Sequence, residues 1–262
     1  MAFRSWDARH LARFNSATSS DFLDFYENFV DKKLKEDAAK PSHKTFAASS
    51  FRCDRRSWFR LRGVQPDVPK KLDSTLQFTA DIGTACHRII QSNLRDALGP
   101  DWISVEDYLK TIDFPYEYTI QKDESGLEYQ IEITSPYPIR FSCDGVVRWK
   151  GKLYLLEIKT SEFSSWDDLT DPKMQHIDQI KCYASLLRLS GVLFLYQDRQ
   201  YGGLKCYEET VTETDSRNVF ARFEYVMDMV AKNLAPEPLP KGDPWCTPSM
   251  CPYYKKCGEY GR

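Results

Sequence analysis

Two carboxylates and a lysine stand close together in one short stretch of this sequence. It runs Asp144-Gly145-Val146-Val147-Arg148-Trp149, then Lys150-Gly151, then Lys152 to Thr160 with Glu157-Ile158-Lys159 near its end. Side chains alternate along a strand, so Glu157 and Lys159 share one face, and Ile158, Leu156 and Val146 are assigned to a core. A turn at Lys150-Gly151 folds the two runs into a hairpin and brings Asp144 beside Glu157 across the ladder. Two carboxylates with an ammonium beside them make a site for a hard divalent cation, Mg²⁺ or Mn²⁺. Such an ion polarises a phosphate and acidifies a bound water, while the lysine positions that water or offsets charge. Glu-x-Lys alone is common on solvated strand faces; the Asp-Gly that opens the preceding strand sets this one apart.

A second group of reactive residues is spread along the chain. Cys246, Cys251 and Cys257 lie near its C-terminal end. Their x4 and x5 spacing is looser than the Cys-x-x-Cys pairs of most zinc ribbons, and three thiolates leave one coordination position open. Cys53 is the natural fourth ligand. Joining it to the tail closes a loop of nearly the whole domain, worth roughly 5 kcal/mol by analogy with disulfide loop closure. Cys86, Cys143, Cys182 and Cys206 read instead as buried, inert thiols. Around Cys53, Arg52, Arg55, Arg56, Arg60 and Arg62 alternate with Trp58 and Phe59, followed by Lys70 and Lys71; the tail adds Tyr253, Tyr254, Lys255 and Lys256. Arginine neutralises phosphate and aromatic rings stack unpaired bases at ~1–3 kcal/mol each. Arg52, Arg55, Arg56, Arg60, Lys255 and Lys256 are therefore the expected DNA-binding set, with Trp58 and Phe59 better read as core.

The elements that must position these groups follow from composition and period. The chain has 262 residues, 42% hydrophobic and 28% charged, a globular composition with room for a substantial core. With net charge −2 and a pI near 6.1 it is no polycation, so nucleic acid would meet a local basic patch. No apolar run approaches the ~18 residues of a membrane span. The opening MAFRSWDARHLARF has no signal-type apolar stretch, which leads to the expectation of a cytoplasmic protein with reduced cysteines. Helical spacing predicts a helix over 20–36, capped by Ser20, with Phe22, Phe25, Tyr26, Phe29, Val30 and Leu34 on one face. Further helices are predicted over 49–62, 79–98, 173–189 and 215–233, the last ending before Pro236, Pro238 and Pro240. Strands are predicted over 128–134, 140–148, 152–160, 191–198 and 203–212. The order predicts one mixed α/β domain over 46–262, with its cysteine tail at 243–262, preceded by a helical extension over 1–45.

In order, a helix with Gly83 and His87, a strand with Asp144, a strand with Glu157-Ile158-Lys159 and a helix with Gln179 and Tyr183 resemble the RecB-family branch of the PD-(D/E)XK nucleases. The resemblance covers roughly residues 49–262, and residues 1–45 match nothing in that family. Cys143 stands where the name-giving proline would be. The resemblance implies a restriction-endonuclease-like core, a mixed central sheet flanked by helices, and a metal-dependent DNA nuclease. It implies that His87, Asp144, Glu157 and the carbonyl of Ile158 bind the metal ions, that Lys159 is the catalytic lysine, and that Gln179 and Tyr183 line the DNA groove and support the site. One distant cysteine with three at the end is similar to the iron–sulfur nucleases, the AddB nuclease domain and the cluster-bearing CRISPR-associated nucleases. That implies a [4Fe–4S] cluster on Cys53, Cys246, Cys251 and Cys257, with Zn²⁺ the less favoured occupant. The expected substrate is single-stranded DNA or DNA ends, cut as an exonuclease. A DNA-processing endonuclease and a non-catalytic DNA-binding assembly subunit stay open, as do recombination or replication partners and a homo-oligomer. The intact Asp, Glu and Lys argue against the binding subunit.

Overall fold

The computed structural model describes residues 21–39, 43–67, 74–123 and 125–260. Ser20, Lys70 and Lys71, named above, lie outside them. By density of contacts the chain divides into two compact units, Met1–Pro41 with Lys70–Phe78, and Ser42–Pro69 with Thr79–Arg262. In the first, helix α1 (Asp21–Ala39) takes up the helical spacing read from the sequence. Its Phe22, Phe25 and Phe29 are exposed, and Tyr26 stacks on Phe78 with centroids 5.7 Å apart.

The second unit carries two mixed sheets. In chain order its elements are β1 (Phe46–Ala47), α2 (Asp54–Leu61), α3 (Ser74–Leu98, whose first residues count with the other unit), β2 (Trp102–Ile103), α4 (Val105–Thr111), β3 (Glu117–Lys122), β4 (Tyr129–Ser135) and β5 (Ile139–Cys143). There follow β6 (Gly145–Trp149), β7 (Lys152–Ser161), α5 (Phe163–Asp167), α6 (Met174–Leu186), β8 (Gly191–Asp198), β9 (Leu204–Thr210), α7 (Glu213–Ala231) and α8 (Tyr254–Glu259). One sheet has the order β1-β5-β4-β3 and the other β2-β6-β7-β8-β9. Both sheets are mixed and flanked by helices, the α/β architecture expected from the sequence, in two sheets where one central sheet was expected.

The β6–β7 hairpin closes as the sequence requires. Lys150 and Gly151 both adopt positive φ, +48° and +78°, the two-residue turn whose twist matches its strands. Strand β8 then runs parallel to β7, and α6 makes the crossover between them. The sheet is covered on both sides. Val147, Tyr154, Leu156 and Ile158 pack with Ile90 of α3, while Val146, Leu155, Val192, Phe194 and Tyr196 join the main core with Ile180 and Tyr183 of α6. Val146 thus lies on the Glu157 face, opposite to Leu156 and Ile158 and not beside them as expected. It pairs with Leu155, and paired residues share a face.

The run read as a single strand over 140–148 is two strands in different sheets, broken at Asp144. Gly145, just after the break, makes room for the Trp102 ring, since a Cβ there would lie 2.8 Å from it. The helix expected over 49–62 is shorter: a turn at Ala48–Ser50 precedes α2, and Cys53 sits extended at its N-cap. Helix α7 opens with a full capping box between Thr212 and Asp215. Among the described residues no helix is long and apolar enough to cross a membrane.

Candidate active site and cysteine pocket

Asp144 lies at the corner where the chain leaves one sheet for the other, and the backbone holds it there. Its Oδ2 accepts the Ile158 N–H at 2.7 Å, and its main-chain carbonyl accepts from Gln91 Nε2 at 2.8 Å. Its Oδ1 lies 3.3 Å from Nδ1 of His87 on α3. His87 and Gln91 are one turn apart on that helix, so the same face supplies both contacts. Gly83, one turn earlier, lets α3 approach β7: a Cβ there would stand 3.0 Å from Thr160 Oγ1. Glu157 faces the α6 side and is 3% exposed. Its Oε1 is 2.5 Å from Lys159 Nζ. Lys159 in turn donates to Gln179 Oε1 at 3.4 Å, and Gln179 Nε2 donates to the Tyr183 hydroxyl at 2.7 Å. Tyr183 is fixed by stacking on Phe141, centroids 5.0 Å apart. A continuous polar chain thus runs Glu157–Lys159–Gln179–Tyr183, with Asp144 and His87 beside it.

The electrostatics are those of a crowded, half-dry site. Burial pushes the Glu157 carboxyl up to about 7; Lys159 opposes the shift and the Asp144 carboxylate adds to it. Burial disfavours the His87 cation, but Asp144 outweighs it and holds the imidazole above its ordinary pKa. Lys159 is likewise raised, its burial outweighed by Glu157. Among the described residues no three of His, Cys, Asp and Glu converge as a closed single-ion cage. Asp144, Glu157 and the His87 nitrogen are donors of the right type for Mg²⁺ or Mn²⁺, and Lys159 is the cation that now balances Glu157.

The four distant cysteines come together. Cys53, Cys246, Cys251 and Cys257 all line one pocket of about 20 Å³, with Arg52, Arg55, Arg56, Phe59 and Tyr253 among the other walls. Burial raises the Cys53 and Cys251 thiols, and neighbouring thiols add to the shift. The tail is tied down around them: Tyr253 stacks on Phe59 at 5.0 Å, Tyr260 packs edge-on to Trp58 at 5.6 Å, and Asp67 N–H donates to the Pro252 carbonyl at 3.0 Å.

No family model matches this sequence, and no curated protein matches it. Solved structures resemble it at low identity. One is the crystal structure of SSO0001, 16% identical, TM-score 0.48, covering 87% of this chain and 94% of that one. Another is an alkaline exonuclease, LHK-Exo, from Laribacter hongkongensis, 13% identical, TM-score 0.40, covering 76% and 93%; the same enzyme in complex with dAMP aligns with TM-score 0.37.

The structure therefore brings together Asp144, His87, Glu157, Ile158, Lys159, Gln179 and Tyr183 at one corner, and the four cysteines at another pocket. Of the residues expected to bind DNA, Arg52, Arg55 and Arg56 line the cysteine pocket. Arg55 is 3% exposed and turned inward. Arg52 pairs with Asp178 at 3.3 Å and Asp243 at 3.1 Å, and Arg60 donates to the Thr45 carbonyl at 3.0 Å. Lys256 donates to the Gln65 carbonyl at 2.6 Å. Arg56 and Lys255 remain at least partly exposed, and Trp58 and Phe59 are core. Cys143 and Cys182 are buried as expected, whereas Cys86 is half-buried and Cys206 is exposed, on the outward face of β9 with Leu204 and Glu208. Sequence reading missed Gln91, His176 and Tyr196. The His176 ring nitrogen lies 2.8 Å from the Tyr196 hydroxyl, and burial, with Lys159 and Lys173 nearby, depresses its pKa to about 3. Gln91 was findable as the residue one turn after His87; Tyr196 needed the β7–β8 register, which sets it beside Lys159.

Proposed function

We propose that this protein is a metal-dependent DNA nuclease that hydrolyses phosphodiester bonds, acting as an exonuclease on single strands or DNA ends. The observation that carries the reading is the polar chain Glu157–Lys159–Gln179–Tyr183 set beside the Asp144–His87 pair. A structural ion pair needs none of the flanking groups, whereas hydrolysis uses each of them. Asp144, Glu157, His87 and the Ile158 carbonyl would hold one or two Mg²⁺ or Mn²⁺ ions. When bound, such an ion stabilises charge on the phosphoryl oxygens and acidifies water. Lys159, released from Glu157, orients the attacking water and offsets developing charge. Gln179 limits where the Lys159 nitrogen can go, and Tyr183 fixes Gln179. Gln91 and the Ile158 N–H hold Asp144 so that the site does not reorganise during the reaction.

The same proposal assigns a [4Fe–4S] cluster to Cys53, Cys246, Cys251 and Cys257. A single zinc ion needs its thiolates to converge to ~2.3 Å from one point, whereas a cluster is gripped at its corners by thiolates that stand apart. The four cysteines that line one pocket are the ligands such a cluster would use. Its role would be to fasten the tail to the segment around α2. The test is purification without oxygen, iron and sulfide analysis, and incubation with end-labelled single- and double-stranded DNA plus Mg²⁺ or Mn²⁺. Metal-dependent release of nucleotides is expected. Intact DNA under all these conditions would contradict the nuclease assignment.

A further inference from the structure

Three guanidinium groups, those of Arg52, Arg55 and Arg56, border the cysteine pocket. Arg55, almost fully buried, donates through Nε to the Pro236 carbonyl at 2.5 Å and through one terminal nitrogen to the Cys257 carbonyl at 3.3 Å. The same terminal nitrogen lies 3.6 Å from Cys257 Sγ. Arg52 spends its terminal nitrogens on Asp178 and Asp243, and Arg56 reaches the Met250 carbonyl at 3.5 Å. The Nε–H groups of Arg52 and Arg56 are buried with no acceptor among the described residues. Both side chains, like that of Arg55, line the pocket. A buried donor without an acceptor costs ~1–3 kcal/mol, and two beside one pocket point to an acceptor that belongs inside it. Four cysteine thiolates around iron–sulfur would be that acceptor, since they carry net negative charge and their sulfurs accept N–H.

We infer that Arg52, Arg55 and Arg56 serve the cysteine pocket and not a DNA strand: they donate N–H groups and positive charge to an anionic metal–thiolate group, Arg55 through the sulfur of Cys257. This rests on the cluster assignment above. The consequence is electrical. Reduction adds a negative charge to the cluster, and nearby guanidinium groups favour that charge in a site of low dielectric. Removing one should move the reduction midpoint to a more negative value and hasten loss of iron to a chelator. Arg55 and Arg56 are positioning residues for the cluster, so neither change need touch hydrolysis directly.

The experiment is a redox titration of anaerobically purified full-length protein, followed by its visible spectrum, for wild type, Arg55→Gln and Arg56→Gln. Arg56 is half-exposed, so its variant reads the effect even where Arg55→Gln does not fold. A more negative midpoint and several-fold faster iron loss to a chelator are expected in each folded variant. Wild-type protein that holds iron and sulfide, with an unchanged midpoint in the folded variants, would overturn the inference and leave the cluster assignment standing. Wild-type protein with no iron or sulfide would overturn both.

Discussion

At the carboxylate corner, Asp144, Glu157, Ile158 and Lys159 come from one hairpin, and the ladder between β6 and β7 fixes their spacing. At the cysteine pocket, Cys53 meets Cys257 across the whole domain; the Arg55–Cys257 contact beside them spans 202 positions. The corner can lose a functional group without losing its frame, because the strands are held by backbone hydrogen bonds and by packing on both faces. The pocket has no such frame. The tail is held by side-chain contacts: packing of Tyr253 and Tyr260, Asp67, and hydrogen bonds from Arg52, Arg55 and Lys256. The two regions should therefore fail differently, one in chemistry and the other in structure.

The sharpest way to break that contrast is at Glu157. Glu157→Ala is expected to lower cleavage by at least 10²–10³-fold, the order seen when a preorganised electrostatic group is removed, with an unchanged circular dichroism spectrum. Loss of the fold in this variant would show that the corner is a structural pair. Asp144 calls for a gentler change. Alanine there leaves the buried Ile158 N–H without its acceptor at a cost of ~1–3 kcal/mol, so Asp144→Asn separates chemistry from stability better.

Cys53→Ser tests the other side. It should release the metal, make the tail protease-sensitive and lower the melting temperature, with activity falling only as a consequence. Cys206→Ser, on the exposed edge strand, should keep the full metal content. A Cys53→Ser protein with a wild-type metal content would mean that the tail cysteines find another partner.

His87→Ala should weaken cleavage several-fold, partly restored by higher metal concentration, at an unchanged melting temperature. A large drop in melting temperature with normal cleavage would make His87 a structural residue. The smallest effect belongs to neither region and serves as a control. Lys181 and the Thr212 hydroxyl hold the Asp215 carboxyl down to about 2. A depressed carboxyl contributes stability above its unfolded value, near 4, and loses it as pH falls through the folded value. Asp215→Asn should remove this acid-range component of stability, about 1 kcal/mol for a helix cap, and leave cleavage at neutral pH alone.

The corner was legible because its signals are local. Alternation placed Glu157 and Lys159 together, and Lys150-Gly151 marked the turn. Alternation misplaced Val146 because the two-residue turn sets it opposite Leu155 and not Leu156, and it missed the break in the run over 140–148, where the chain changes sheets at Asp144. The two-residue strands β1 and β2 and the seven-residue helix α4 carry too little periodic pattern to stand out, and the strands are defined by pairing with distant partners. The cysteine pocket was legible as three spaced thiols in the tail with Cys53 far upstream, the four that line it. The burial of the arginines beside it was not legible, because charge in a sequence does not reveal burial: Arg55 turns inward while Arg56 stays half-exposed.

The central claim is that the chain of contacts from Glu157 through Lys159 to Gln179 is a hydrolytic site. Single-turnover cleavage of end-labelled single-stranded DNA with Mg²⁺ or Mn²⁺, comparing wild type with Lys159→Ala at matched circular dichroism, tests it most directly. A hydrolytic role predicts metal-dependent cleavage by wild type and loss of nearly all of it in the variant. Equal rates in the two folded proteins would contradict it.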